Sequence, residues 1–111
     1  MANEIKVWLS DIKQAIQEIN DFLPAGRNFQ EFQKDIKTKR AIERNIEIIG
    51  EAMNRILKKE PDFQISNARK IVDTRNRVIH GYDSVSEAVI WAIVDQELPK
   101  LEEEIDQLLN Q

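Results

Sequence analysis

Apolar residues recur every three or four positions along almost the whole chain, and this spacing restricts the possible folds more than any other feature. The first stripe consists of Ile5, Trp8, Leu9, Ile12, Ile16, Ile19 and Leu23. A period near 3.6 residues is that of an amphipathic helix packed on one side. Only three glycines and three prolines interrupt the 111 residues, and no strand-like alternation occurs. The pattern therefore predicts an all-α protein.

The first stripe predicts a helix over about residues 3–23, which Leu23-Pro24-Ala25-Gly26 ends. A short second helix is expected to carry Phe29, Phe32 and Ile36. Thr38 is expected to cap a third helix that runs to about Lys58, before a turn at Pro61-Asp62. The apolar stripe of this third helix consists of Ile42, Ile46, Ile49, Met53 and Ile56, with Leu57 beside it.

A fourth helix is predicted from Ile65, Ala68, Ile71, Val72, Val78 and Ile79, and Gly81 is well placed to end it. Arg75 falls on the same stripe. The run Ser84-Val85-Ser86-Glu87 has the spacing of a capping box, so a last helix is expected to follow it. Pro99 should kink or divide that helix. Its inward positions are predicted to be Val85, Val89, Ala92, Leu101, Ile105 and Leu108.

Together these elements predict one domain over residues 1–111, a four-helix up-down bundle with an additional short helix. The chain has no cysteine, which excludes disulfides and thiolate chemistry and is compatible with a reducing cytoplasm. We expect a cytoplasmic protein, because the N-terminus lacks a signal-peptide pattern and no apolar run is long enough to span a membrane. With one histidine, a multi-histidine metal site within one chain is excluded.

The overall charge argues against a protein that coats nucleic acid by bulk attraction. The formal net charge is -4 and the pI is about 5.1. The charges are unevenly spread, however. Residues 69–77 carry Arg69, Lys70, Arg75 and Arg77 against one acid, Asp73. A local basic groove therefore remains compatible with the acidic total.

The segment from Arg75 to Tyr82 holds the only histidine and the only tyrosine of the chain, His80 and Tyr82. Arg75 either forms an ion pair with Glu47 or Glu51 on a facing helix, or grips a phosphate. His80 is either a helix cap facing the C-terminal dipole, or an acid–base group. Tyr82 is either a packed aromatic or a phosphate contact or modification site.

Helix geometry limits how Arg75 and His80 can meet. Five residues place His80 roughly 140° around a continuous helix from Arg75, and about 7.5 Å along the axis. The two side chains can converge only if the helix is ending at His80, which Gly81 makes plausible. A position at the C-terminal end would also favour protonated histidine near neutral pH.

Three other groups of residues stand out in the sequence: a basic stretch, two tryptophans and an acidic run. A basic stretch enters the third helix and is either surface charge or a set of phosphate contacts: Lys37, Lys39, Arg40 and Arg44. Trp8 and Trp91 are predicted to be core or interface anchors. The acidic run Glu102-Glu103-Glu104 is predicted to be a solvated face.

The segment Arg75–Tyr82 matches the R-x4-H-x-Y signature and so resembles the HepT toxins of the HEPN superfamily of small helical ribonucleases. The run Ile48-Ile49-Gly50-Glu51-Ala52 is similar to the I-G-E-A block of that family. The tail from Val89 to Leu101, with Trp91 and Pro99, also resembles the last helix of the family. The resemblance covers essentially the whole chain.

This resemblance implies a metal-independent endoribonuclease without cofactors, acting as a homodimer whose two R-x4-H segments form one composite site. Arg75 would then stabilise the phosphate, His80 would transfer protons, and Asn76 would support them. The product would carry a 2′,3′-cyclic phosphate. Apart from the resemblance, the candidate contacts to the RNA backbone are Arg77, Lys37, Arg40 and Arg44.

The resemblance also implies a partner. HepT-like toxins of type VII-like HEPN/MNT toxin–antitoxin systems pair with a minimal nucleotidyltransferase, MntA, which can join them in a larger hetero-oligomer. That enzyme transfers AMP to the tyrosine of H-x-Y, which corresponds to Tyr82. Two alternatives stay open at this point: a non-catalytic helical module that binds a nucleotide or a protein, and a purely structural bundle.

Overall fold

The computed structural model describes residues 1–23, 28–79 and 87–111, and within these ranges every regular element is a helix. Helix α1 spans Asn3–Phe22, α2 spans Phe29–Lys34, α3 spans Ile36–Lys59 and α4 is described over Ala68–Ile79. The last helix, α5, has three consecutive segments: α-helical Glu87–Ala92, π-helical Ile93–Glu97 and α-helical Leu98–Leu109. The prediction of an all-α, four-helix up-down bundle with an additional short helix is confirmed.

Helix α3 occupies the centre of the bundle, because it packs against α1, α2 and α4. Its predicted stripe is buried throughout: Ile42, Ile46, Ile49, Met53, Ile56 and Leu57. The stripe of α1 faces it and is also buried, apart from half-buried Trp8. Each apolar face therefore covers the other, which is what makes two amphipathic helices stable together.

The start of α3 differs from the prediction that Thr38 caps it. Asp35 is the capping residue: its Oδ1 accepts a 3.0 Å hydrogen bond from the Thr38 backbone N–H, and its Oδ2 accepts one of 2.6 Å from the Thr38 hydroxyl. Ile36 is consequently the first residue of α3 and is 61% exposed, so its assignment to the apolar face of α2 was wrong. Both Asp and Thr favour this position, and the carboxylate occupies it.

Pro99 divides the last helix by changing its winding. Proline has no N–H and its ring crowds the carbonyl four residues earlier, which opposes regular α-helix before it. In the π-helical segment the Leu98 N–H bonds to the Ile93 carbonyl, five residues back. The wider turn moves the buried face by about one position, so the buried side chains of α5 are Ile90, Ile93, Val94, Leu98, Leu101 and Ile105.

An aromatic cluster joins α2 to the start of α5. Phe32 is buried, and its ring centroid lies 5.2 Å from that of Trp91 and 6.3 Å from that of Phe29. The Phe29 and Trp91 centroids are 5.8 Å apart. The prediction that Trp91 is an anchor is confirmed.

None of the helices in the described part of the chain combines the length and the apolar character needed to cross a bilayer. The predicted turn at Pro61-Asp62 is present. The proposed helix stop at Gly81 and the capping serine, Ser84, lie outside the described residues, as does Val85.

The cap of α3 predicts a pH dependence of folding. Hydrogen bonds from the Thr38 hydroxyl and backbone hold the pKa of Asp35 below its ordinary value of 3.8. The stabilisation is therefore complete above that value and is lost as the pH falls through the lower pKa of the folded protein. We expect Asp35→Ala to lower the urea midpoint near neutral pH, and this difference to shrink in strong acid.

Asp35→Asn provides the matched control, because Asn caps helices as well as Asp does but does not titrate. Its midpoint should stay near that of the parent at neutral pH and decline less in acid. An Asp35→Ala protein with an unchanged midpoint at neutral pH would contradict the capping role.

Candidate active site around Arg75

Arg75 lies in the middle of α4, on the side that packs against α3, and its side chain is 22% exposed. One terminal nitrogen, Nη1, donates a 2.7 Å hydrogen bond to Oδ1 of the neighbouring Asn76. The other, Nη2, donates to Oε2 of Glu51 on α3. The Nε–H is buried and has no hydrogen-bond partner among the described residues. The guanidinium is thus held in place while part of its surface stays open to solvent.

Glu51 links two arginines. Its Oε2 receives the bond from Arg75, and its Oε1 accepts a 3.2 Å hydrogen bond from Nε of Arg55, one turn further along α3. Of the two ion-pair partners expected for Arg75, Glu51 is the one observed. Glu47 instead pairs with Arg44, at 3.1 Å. The cluster Arg55–Glu51–Arg75 carries one net positive charge.

Gly50 explains why α4 can approach α3 so closely at this point. A methyl group on Gly50 would lie 2.6 Å from Cγ of Arg75 and closer still to its Cβ. Those atoms belong to the root of the side chain and cannot swing away as its tip could. The missing side chain at residue 50 therefore makes room for the stem of Arg75, which then passes over α3 to reach Glu51.

Arg75 lines an open groove of about 600 Å³ between α1, α3 and α4. One wall is apolar and includes Trp8, Ala15, Ile48 and Ala52. The charged residues on the groove are Arg44, Arg55 and Arg75, with Asp11, Glu18, Glu47 and Glu51. The acids slightly outnumber the bases, so the attraction for an anion is confined to the arginines and does not extend over the whole surface.

The basic stretch at the start of α3 does not act as one surface. Lys39 pairs with Glu87 of α5 at 2.8 Å, and this hydrogen bond holds the pKa of Glu87 below its ordinary value. Arg44 lies on the same groove as Arg75. Lys37 and Arg40 are exposed and are not among the residues that line this groove. Their contacts to RNA stay a prediction.

Three of the predicted site residues belong to the segment that follows Arg75 and Asn76. His80 and Tyr82 lie outside the described residues, and so does the side chain of Arg77. Asn76, in contrast, is in contact with Arg75 through the hydrogen bond to Nη1. Arg55 was missed by the sequence reasoning. Its signal was the spacing of four residues from Glu51, at which opposite charges meet on a helix.

Within the described ranges, no three His, Asp or Glu side chains come together closely enough to hold a metal ion. The bases that line the groove are arginines, whose planar guanidinium groups suit phosphate oxygens.

A model of the family described as ribonuclease HepT-like matches residues 12–108 of this chain. The chain belongs to the HepT-like ribonuclease family. It is 33% identical over 112 residues to a protein of Thermococcus cleftensis named "Probable ribonuclease HepT", covering 97% of this chain and 98% of that one. It is 30% identical over 111 residues to "Putative RNase MJ0127" of Methanocaldococcus jannaschii, covering 96% and 88% respectively.

Membership of the HepT-like family confirms the resemblance to HEPN ribonucleases that was inferred from the segments around Arg75 and Gly50. No solved structure matches this chain closely.

The close contact at Gly50 predicts the outcome of Gly50→Ala. Helix propensity alone would favour alanine by up to about 1 kcal/mol. The clash with Arg75 should outweigh this and destabilise the protein by about 1–3 kcal/mol, because α3 and α4 must separate. Urea unfolding of the variant measures the difference.

A double variant separates the two effects. In the Arg75→Ala background the methyl group introduced by Gly50→Ala no longer meets Cγ, although it still faces Cβ, so the loss caused by Gly50→Ala should be smaller. Equal losses in both backgrounds would show that the Arg75 stem beyond Cβ does not set the helix spacing.

Proposed function

We propose that this protein is a metal-independent endoribonuclease and the toxin of a HEPN/MNT toxin–antitoxin pair. The observation that carries the proposal is the guanidinium of Arg75, oriented by Glu51 and Asn76 on an open groove in a HepT-like chain. Membership of the family supports RNA as the substrate.

Arg75 binds the scissile phosphate and stabilises it as charge builds up on its oxygens. A guanidinium has five N–H donors. In Arg75 one is used by Asn76, one by Glu51, and the Nε–H is buried. One N–H then remains on each Nη atom, which is the number that a bidentate contact to a phosphate needs. Donors fixed before the reaction stabilise the transition state most effectively.

His80 moves the protons of the reaction. The 2′-oxygen of the ribose forms a bond to phosphorus while the bond to the 5′-oxygen breaks, giving a 2′,3′-cyclic phosphate and a 5′-hydroxyl. A proton must leave the 2′-hydroxyl and another must reach the 5′-oxygen. In a homodimer the two copies of His80 supply the base and the acid, and RNA contacts from Arg77, Lys37, Arg40 and Arg44 extend the site.

The acidic groove favours one alternative. Because four carboxylates line it beside three arginines, long-range attraction for RNA is weak there. A non-catalytic module that binds a nucleotide or a protein through Arg75 fits that charge pattern as well. Catalysis is the property that distinguishes the two functions.

Regulation is proposed to act at Tyr82. An MntA-like antitoxin transfers AMP from ATP to the tyrosine hydroxyl, so that an O–P bond forms and pyrophosphate leaves. Each AMP adds a negative phosphate a few residues from Arg75 and His80, where it would occupy the anion site and exclude RNA. The toxin then stays inactive while the modified tyrosine persists.

Cleavage of RNA in excess EDTA tests the activity. We expect the parent to cut RNA with the chelator present, and Arg75→Ala and His80→Ala to reduce the rate by at least about a hundredfold. Arg69→Ala is the matched control, because Arg69 is an exposed cation on the same helix and does not line the groove. Its rate should stay close to that of the parent.

Two results would count against the nuclease. Equal cleavage by the parent, Arg75→Ala and His80→Ala proteins would place the activity elsewhere. RNA or nucleotide binding by the parent without cleavage, lost in Arg75→Ala, would identify the non-catalytic module instead.

Mass spectrometry tests the regulation. After incubation with the antitoxin and ATP, the peptide that contains Tyr82 should gain the mass of one or more AMP groups, and cleavage should stop. Tyr82→Phe should gain no mass and should escape inactivation. Silencing of the parent without any adduct would show that the antitoxin acts by binding alone.

A further inference from the structure

Glu51 is the one carboxylate that directly contacts the guanidinium of Arg75 among the described residues, and its position creates a conflict. A carboxylate neutralises the cation that is proposed to bind a phosphate, so it weakens the attraction of RNA in the ground state. If Glu51 beside Arg75 benefits the reaction, it must do so through an effect that offsets this weaker attraction.

The compensating effect is orientation. A free arginine side chain has many rotamers. Fixing one of them when the substrate binds costs conformational entropy, and this cost weakens binding and slows the reaction. In this protein Gly50 lets the stem of Arg75 lie across α3, and Glu51 and Asn76 each hold one terminal nitrogen. The guanidinium is therefore ordered before any RNA is present.

The carboxylate is itself held. Oε1 of Glu51 accepts from Nε of Arg55, while Oε2 accepts from Arg75, so each oxygen has its own cation. Glu51 is 39% exposed, compared with 57% for Arg55. The exposed pair of Glu51 with Arg55 therefore adds little to stability. Its consequence is that the carboxylate which contacts Arg75 is itself held in one direction.

We propose that Glu51 is the positioning residue for Arg75: it aims the guanidinium at the scissile phosphate before RNA binds, while partly cancelling its charge. This inference rests on the ribonuclease function proposed above. Glu51 does not touch the reacting atoms and acts only through Arg75. The two roles of the carboxylate change different kinetic constants, and this makes the proposal testable.

In steady-state kinetics of Glu51→Ala, kcat and KM should therefore change differently. Loss of the fixed orientation of the Arg75 guanidinium should lower kcat by roughly ten- to a hundredfold. Loss of the negative charge leaves KM unchanged or reduces it. Glu51→Gln retains an oxygen that accepts from Arg75 and removes only the charge, so it should recover most of kcat and have the same KM as Glu51→Ala. Arg75→Ala, in contrast, should raise KM and lower kcat together.

Glu47→Gln is the matched control. Glu47 lines the same groove on the same helix but pairs with Arg44. Its substitution removes the same charge from the groove without loosening Arg75. It also releases Arg44, a proposed RNA contact, so KM is expected to change while kcat stays that of the parent. A fall in kcat in Glu47→Gln equal to that in Glu51→Ala would attribute the effect to groove charge and overturn the positioning role.

A spectroscopic measurement reports on orientation without using activity. A guanidinium held on both Nη atoms rotates slowly, so in the folded parent the Arg75 Nη groups should give separate NMR signals, which Arg75→Lys identifies by their loss. These signals should merge in Glu51→Ala and stay separate in Glu47→Gln. Signals that stay separate in Glu51→Ala would overturn the proposal even if that variant were kinetically impaired.

The outcomes distinguish this inference from the function beneath it. A folded parent that does not cleave RNA overturns the ribonuclease, and the positioning role falls with it. Cleavage that depends on Arg75 and His80 but has the same kcat in Glu51→Ala overturns the positioning role alone. A kcat loss in Glu51→Ala, recovered in Glu51→Gln and accompanied by merged signals in Glu51→Ala, supports both.

Discussion

The close crossing of α3 and α4 at Gly50 is the constraint on which the site depends. Because residue 50 has no side chain, the stem of Arg75 lies against the backbone of α3, and its guanidinium reaches Glu51 in the next position of that helix. Any larger residue would separate the helices and withdraw the cation from its partner. Two adjacent residues of α3 thus supply the space for Arg75 and the contact that holds it.

The periodic parts of the fold could be predicted from the sequence, because burial of one helix face imposes the same spacing on every long helix. The predicted stripes of α1 and α3 are buried with almost no exception. The ends of helices were harder to predict, because Asp35 and Thr38 are both good capping residues. The structure shows that Asp35 is the cap, since its carboxylate accepts the bond from the Thr38 backbone N–H. The shift in α5 was missed because a π-helical turn changes the period by about one residue, which a search at 3.6 residues cannot follow.

The sequence pointed to Arg75 and Asn76 as candidate site residues, but it did not predict which side chains Arg75 contacts. The motif around Arg75 pointed to an arginine on a helix face, and the charge pattern left Glu47 and Glu51 as equal partners. What selects Glu51 is the helix crossing at Gly50, a tertiary feature that spacing along one helix does not contain. The convergence of His80 with Arg75 stays a prediction, because His80 lies outside the described residues.

The π-helical segment Ile93–Glu97 lies between two packing contacts of the last helix. The first half packs near the aromatic cluster of α2, and the half after Pro99 packs on α1. Since the wide turn holds one residue more than an α-helical turn, loss of one amino acid there leaves both contacts in register, whereas a gain rotates one of them by about 100°. This helix can therefore become one residue shorter at this turn while both of its contacts are preserved.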